Sequence, residues 1–147
     1  MIIFYINIAS IWFMVGLIWL IQLVHYPLFI YVGSKDFSLF HKKHKIFITP
    51  VVAIVMIAEL MTSGIIFLQF QSKIPNWILI IGLILLGIIW VSTLLIQIPL
   101  HNKLNSKFDE NLIIMLVKTN WIRTICWSIR GVLSLITLGI LMINSNL

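Results

Sequence analysis

The sequence contains four long apolar stretches that are separated by short polar connections. They cover residues 2–29, 46–70, 77–100 and 120–143 of the 147-residue chain. About 20 helical residues are enough to cross a hydrocarbon core of about 30 Å, and each stretch is at least that long. The stretches are continuous, whereas a membrane β-barrel shows segments of about ten residues with alternating polarity. The pattern predicts an all-α fold, a single domain built as a four-transmembrane-helix bundle.

The composition agrees with this prediction. Hydrophobic residues make up 61% of the chain and charged residues only 10%, whereas a soluble domain carries about 25% charged residues. So few charges cannot cover a compact domain in water. The lipid bilayer is therefore the expected partner of most of the surface, and the chain is expected to be an integral, multi-pass membrane protein.

The basic residues predict the orientation of the helices. Seven lysines lie in the connections between the first and second stretches and between the third and fourth, against Lys73 alone between the second and third. By the positive-inside rule, both termini are expected on the non-cytoplasmic side. The membrane is expected to be a bacterial cytoplasmic (inner) membrane. This placement explains the net charge of +6 by topology and argues against a nucleic-acid partner. The seven are Lys35, Lys42, Lys43, Lys45, Lys103, Lys107 and Lys118.

Polar residues recur at the cytoplasmic ends of the predicted spans. At 100° per residue, each helix carries them as one stripe, so four stripes can face one another inside the bundle. Exposure of such groups to lipid is costly, which favours the inward orientation. All four histidines of the chain belong to this set. The residues expected together at this face are Gln22, His25, His41, His44, Gln97, His101, Asn120 and Arg123.

Charged residues also occur near the middle of two spans. Glu59 is the one acidic residue inside a predicted span, and Arg130 lies at similar depth on the fourth. We expect Glu59 to face Arg130 or Arg123, either to fix helix register or to line a pocket. Trp127 lies between the two arginines and can stack on a guanidinium or on a flat ligand. All these groups are expected in one polar chamber that opens toward the cytoplasm.

These residue types suit three kinds of function. In an enzyme, His25 or His101 would act as acid and base, and Arg123 would stabilise negative oxygen. Glu59 completes the catalytic candidates; the substrate-binding candidates are Gln22, Gln97, Asn120, Trp127 and Arg130. In a binding protein, His25, His41, His44 and His101 would hold a transition metal, or His25 and His101 a haem. In a structural subunit, the polar interior would only specify packing. The cofactor stays open between haem, a transition metal and none.

Three segments of the sequence resemble a known family. They are Gln22 to Phe29, Trp90 to Leu104 and Thr119 to Thr124. Together they resemble the small four-helix membrane proteins related to anthrone oxygenases, in which a span ends in Pro-x-Asn-x-x-Leu, an acidic residue follows, and a Trp and an Arg open the last span. The matching positions are Pro99, Leu104, Asp109, Trp121 and Arg123, with His101 in place of the usual Asn.

The resemblance implies a four-helix fold and the oxidation of a hydrophobic ring compound by dioxygen. It implies no metal or flavin. We therefore expect, first, an oxidoreductase or oxygenase-like enzyme acting on a hydrophobic aromatic or quinone-like small molecule near the cytoplasmic leaflet. A haem- or metal-binding protein and a non-catalytic assembly subunit are the alternatives. The sequence leaves the formation of a homo-oligomer open.

Overall fold

The computed structural model describes residues 2–145 and shows an all-helical protein, as predicted. Four helical rods run up and down: α1 (Ile2–Tyr31), α2 (Ser34–Gln69), α3 (Asn76–Leu104) and α4 (Glu110–Ser145). The described residues contain no strand. All four rods are long and apolar enough to cross a membrane. The predicted four-helix membrane fold is confirmed at this level.

Two rods are longer than the spans predicted from hydropathy. The α2 and α4 helices have 36 residues each, about 54 Å at 1.5 Å per residue, so they extend past the hydrocarbon core. The polar segments before the second and fourth predicted spans are thus continuous with the spanning helices. At the start of α4, Asp109 Oδ1 accepts the Leu112 N–H at 3.1 Å, which satisfies one of the free amides of the first turn.

The bundle has two distinct ends. The lysine-rich end carries the α1–α2 and α3–α4 connections, and the opposite end, here the termini end, carries the start of α1, the end of α4 and the α2–α3 turn. The α1 rod packs against α2 and α4, and α3 packs mainly against α4. The buried apolar residues form three successive groups along the bundle. The middle group consists of Met14, Ile18, Met56, Ile89, Cys126 and Trp127.

Two rods contain a wider helical turn near the lysine-rich end. The π-helical turns are Ile21–His25 in α1 and Thr93–Gln97 in α3. Pro27 and Pro99 each follow two residues later. Proline has no N–H, and its ring collides with the carbonyl four residues before it, so the preceding turn widens. Both turns carry a buried glutamine, and their widening changes the direction in which the site residues leave the helix.

A glycine sets the distance between α1 and α4. A Cβ at Gly131 would lie 3.3 Å from Val15 Cγ2 and 3.5 Å from the Trp12 ring, whereas a Cβ at Gly87 meets nothing within 4 Å. We predict that Gly131→Leu lowers the free energy of unfolding by about 1–3 kcal/mol because it overpacks this contact. The Gly87→Leu control is expected to be near neutral. Unfolding in mixed detergent micelles measures both, and equal stabilities would contradict the proposed close contact.

Candidate functional site

The four histidines meet at the lysine-rich end as two hydrogen-bonded pairs. His25 Nε2 and His44 Nδ1 are 2.8 Å apart and join α1 to α2. His41 Nε2 and His101 Nδ1 are 3.0 Å apart and join α2 to α3. The ring centroids of His44 and His101 are 5.9 Å apart, so the two pairs are neighbours. The structure thus brings imidazoles from three rods into contact.

One of these pairs continues into a longer hydrogen-bonded series, here called the histidine network, that consists of Asn105, His41, His101, Tyr26 and Arg123. Asn105 Oδ1 lies 2.9 Å from His41 Nδ1. Tyr26 Oη lies 2.9 Å from His101 Nε2 and accepts a bond from Arg123 Nη2 at 3.4 Å. The network contains one residue from each of the four rods, and it ends at Asn105 in the turn after α3.

The donors and acceptors in the histidine network all point one way. The Asn105 carbonyl oxygen only accepts, so in neutral His41 the proton is on Nδ1 and Nε2 accepts from His101 Nδ1. His101 Nε2 is then an acceptor for the Tyr26 hydroxyl. From the other end, the Arg123 guanidinium only donates, which leaves the Tyr26 hydrogen free for His101. Both ends therefore indicate the same direction, from Arg123 toward Asn105.

Arg123 is held by neutral side chains. Its Nε donates to Asn120 Oδ1 at 3.0 Å, its Nη2 bonds the same oxygen, and its Nη1 lies 3.5 Å from Thr93 Oγ1. Asn120 in turn donates to Gln22 Oε1 at 2.8 Å, and Gln22 donates to the Val117 carbonyl at 3.1 Å. Gln22 and Asn120 thus position the guanidinium. Their predicted contact with a substrate stays a prediction.

Gln97 lies apart from the histidines despite sharing a predicted stripe with His101. Its Oε1 accepts from Ser92 Oγ at 2.9 Å, and its Nε2 donates to Thr119 Oγ1 at 3.3 Å. The side chain is buried between α3 and α4. The bond to Thr119 links the two rods, whereas Ser92 belongs to the same rod as Gln97.

The geometry of the histidines does not favour a metal. Among the described residues, no three His, Cys, Asp or Glu side chains are arranged to hold a metal ion. Both ring nitrogens of His41 and of His101 already have hydrogen-bond partners. A histidine binds haem iron through one ring nitrogen, so a haem ligated by His25 and His101 would require His101 to lose its bond to either His41 or Tyr26. The metal and haem assignments stay predictions without geometric support.

The predicted ion pair in the middle of the membrane is confirmed, with Arg130 as the partner of Glu59. Arg130 Nε lies 2.7 Å from Glu59 Oε1, and both side chains are buried. Arg130 also donates to Ser63 Oγ at 3.0 Å and to the Gly82 carbonyl. Trp127 Nε1 donates to Glu59 Oε2 at 2.9 Å. These residues form the Glu59–Arg130 cluster.

The expected single chamber is wrong, because the polar residues form two separate groups. Along α4, Trp127 lies between Arg123 and Arg130, but it is fully buried among apolar residues of the middle group. The sequence suggested that Trp127 stacks on a guanidinium or on a flat ligand. In the structure its indole N–H instead donates a hydrogen bond to Glu59. The middle group of buried apolar residues, here called the middle apolar layer, therefore separates the histidine network from the Glu59–Arg130 cluster.

The sequence analysis missed several residues of both groups. Tyr26 joins His101 to Arg123, and its position four residues after Gln22 places it on the same helical face. Asn7 donates to Thr62 Oγ1 at 2.8 Å and to Ser63 Oγ at 2.9 Å, which ties α1 to the Glu59–Arg130 cluster. Its isolation in an apolar stretch was the available signal. Asn105 carries no signal, because only the turn after α3 brings it to His41.

A lateral groove lies beside the histidine pair of α1 and α2. Its volume is about 410 Å³. His44 Nε2, like Trp90 Nε1, is buried and has no hydrogen-bond partner among the described residues. Phe47 is 70% exposed, so the groove opens on the outer surface of the bundle, where the second apolar span begins. Its lining residues are His25, Phe40, Lys43, His44, Phe47 and Ile48.

A smaller cavity lies between the four rods on the termini side of Arg130. Its volume is about 60 Å³, enough for about two water molecules. Asn7, Ser63 and Arg130 supply polar groups at its lining, together with Ser134 and Thr137. The cavity therefore suits hydration of the Glu59–Arg130 cluster better than a drug-sized ligand.

Comparison with protein families, curated proteins and solved structures finds no match. The function is therefore inferred from the geometry of this chain.

The buried Glu59–Arg130 ion pair leads to a prediction about the stability of the protein. Removal of one partner leaves an unpaired buried charge, so we expect Glu59→Leu to lower the free energy of unfolding by about 3–5 kcal/mol. The double variant Glu59→Leu/Arg130→Leu is expected to recover most of this loss. Thermal unfolding in detergent measures each, with exposed Glu110→Gln as control. A single variant as stable as this control would show that the pair is not desolvated.

Proposed function

We propose that the chain is a membrane-embedded oxidoreductase of the oxygenase type, which acts on a hydrophobic aromatic or quinone-like molecule. This proposal rests on the histidine network, whose hydrogen bonds all run in one direction, and on the second imidazole pair, His25 and His44, beside it. Such an arrangement suits the removal of a proton from a substrate within a membrane. The resemblance to anthrone-oxygenase-like proteins supports the same reaction class, with dioxygen as electron acceptor.

The network can take up one proton and move its charge away from the interior. The Tyr26 hydroxyl occupies His101 Nε2, so the proton enters through Tyr26. When Tyr26 passes its proton to His101 Nε2, His101 releases its Nδ1 proton to His41 Nε2, 3.0 Å away, and a substrate proton restores the Tyr26 hydroxyl. His41 then carries the positive charge, and Asn105 Oδ1 stabilises it at the lysine-rich end. The amide oxygen is a very weak base, so the proton is held on His41 until solvent or a product removes it.

Arg123 supplies the electrostatic component of the proposed site. Its hydrogen-bond partners in the described structure are the neutral side chains of Asn120, Thr93 and Tyr26. A buried guanidinium without a carboxylate stabilises negative charge on a nearby oxygen. The phenolic oxygen of Tyr26 already accepts one of its N–H groups. We therefore assign Tyr26 to proton relay and Arg123 to charge stabilisation within the network.

Glu59 and Arg130 have a different role in this proposal. Their charges cancel in a pair at 2.7 Å, and the middle apolar layer separates them from the histidines. The carboxylate also accepts from Trp127. These contacts support a structural role in fixing the register of α2 and α4, in place of the catalytic and substrate-binding roles considered from the sequence.

We expect the purified protein in proteoliposomes to consume dioxygen when a lipid-soluble hydroquinone is added. The hydroquinone loses two protons and two electrons and becomes a quinone, and dioxygen takes up both protons and both electrons and becomes hydrogen peroxide. Loss of the proton acceptor in His101→Ala should lower the rate by about 100-fold or more. Asn102→Ala, an exposed neighbour on the same helix, serves as control. An oxygen electrode measures the rates, and equal turnover by His101→Ala would exclude His101 as a proton acceptor in the reaction.

A second prediction concerns the tyrosine of the network. Tyr26→Phe removes the hydroxyl that joins His101 to Arg123, so we expect kcat to fall by about tenfold or more with little change in KM. Tyr31→Phe is the matched control, because Tyr31 is 81% exposed. The pH profile of kcat should also shift in Tyr26→Phe alone. A purely structural Tyr26 would leave that profile unchanged.

A further inference from the structure

We propose that the groove between α1 and α2 binds the hydroxyl-bearing ring of a lipid-soluble phenol or quinol. This inference rests on the proposed function and names the place and the chemical class of its substrate. Three observations carry it: the size and walls of the groove, the imidazole pair that lines it, and the single cationic side chain beside them.

The walls of the groove suit a flat apolar molecule. Its volume of about 410 Å³ lies within the range of small-molecule sites, about 300–1,000 Å³. Phe40 and Phe47 contribute aromatic surfaces and Ile48 an aliphatic one. Aromatic rings pack on such walls in stacked or edge-on arrangements. The groove opens on the outer surface at the start of the second apolar span, where we expect molecules dissolved in the membrane to have access to it.

The polar lining suits a hydroxyl group. His25 and His44 line the groove and use one ring nitrogen each in their mutual bond. His44 Nε2 has no partner among the described residues and is buried, so a hydroxyl in the groove reaches it when the His44 ring turns toward the groove. A buried polar atom of this kind normally has a hydrogen-bond partner. A hydroxyl both donates and accepts, so it satisfies either tautomer of the imidazole. The His44 ring lies 5.9 Å from that of His101, which places the bound hydroxyl next to the histidine network.

The charge of the groove favours an acidic hydroxyl over a phospholipid headgroup. Lys43 is the one cationic lysine or arginine side chain in the lining, and it favours the ionised form of a phenol beside it. Phosphate groups are usually held by several donors, such as arginine forks or helix amides. One ammonium group between two phenylalanines matches a phenolate better than a phosphate.

The test uses 1-naphthol, a fluorescent phenol whose excited state transfers its proton to a nearby acceptor, and naphthalene, which lacks the hydroxyl. Both are titrated against the intact protein in lipid nanodiscs. We expect saturable 1-naphthol binding with naphtholate emission and binding of naphthalene that is weaker by about tenfold, the equivalent of one hydrogen bond. Empty nanodiscs give the partition background.

Matched variants locate the binding site. His44→Phe keeps a ring in the groove but removes the nitrogens, so the naphtholate emission above the empty-nanodisc background should disappear and 1-naphthol affinity should fall by about tenfold. Lys43→Gln should weaken 1-naphthol binding more than Lys42→Gln, because Lys42 is exposed outside the lining. Circular dichroism and the unfolding midpoint verify that each variant is folded.

The outcomes separate this proposal from the proposed function. Binding that is equal in wild type, His44→Phe and empty nanodiscs would overturn the groove site, even if the protein oxidises hydroquinones. Displacement of 1-naphthol by phosphatidylglycerol but not by hydroquinone would identify a lipid site and would also overturn it. Specific 1-naphthol binding without any oxygen consumption would support the groove and contradict the oxidoreductase.

Discussion

A polar group inside a membrane has no water to bond, so the protein itself must supply its partners. This constraint accounts for most of the interior of the bundle. Besides apolar packing, side-chain hydrogen bonds and the Glu59–Arg130 ion pair join neighbouring rods, for example the bonds from Asn7 to Ser63 and from Asn120 to Gln22. Such bonds fix the rotation of each rod about its axis. They thereby decide which residues face one another and which face lipid.

The same constraint explains why the lysine-rich end differs from the middle of the membrane. In the middle, the charges of Glu59 and Arg130 cancel, and Trp127 and Ser63 donate or accept further hydrogen bonds to the pair. At the lysine-rich end the partners are neutral groups with exchangeable protons, in His41, His101 and Tyr26. Protons can move along such a series without separating an ion pair. The bundle thus has a centre with paired charges and one end suited to acid–base chemistry.

The fold was largely predictable from the sequence, whereas the organisation of the site was predictable only in part. Hydropathy located the four rods, and the pairing of Glu59 followed because the spans offer it only two arginines as partners. The pairing of His41 with His101 depends on how α2 and α3 are rotated, which periodicity on one helix does not determine. The single chamber was wrong because Arg123, Trp127 and Arg130 form one stripe on α4, while packing turns Trp127 toward Glu59.

The two arginines of α4 show how similar residues acquire different roles. Each is buried and belongs to the same helical stripe, so each must be compensated in a medium of low dielectric constant. Arg130 has the carboxylate of Glu59, whereas the side chains that hold Arg123 are neutral. A guanidinium left in this state gains most when a negative oxygen forms beside it. The nearest hydroxyl that can become one is Tyr26, whose proton already points to His101. The missing counterion thus marks the lysine-rich end as the place where charge develops during the proposed reaction.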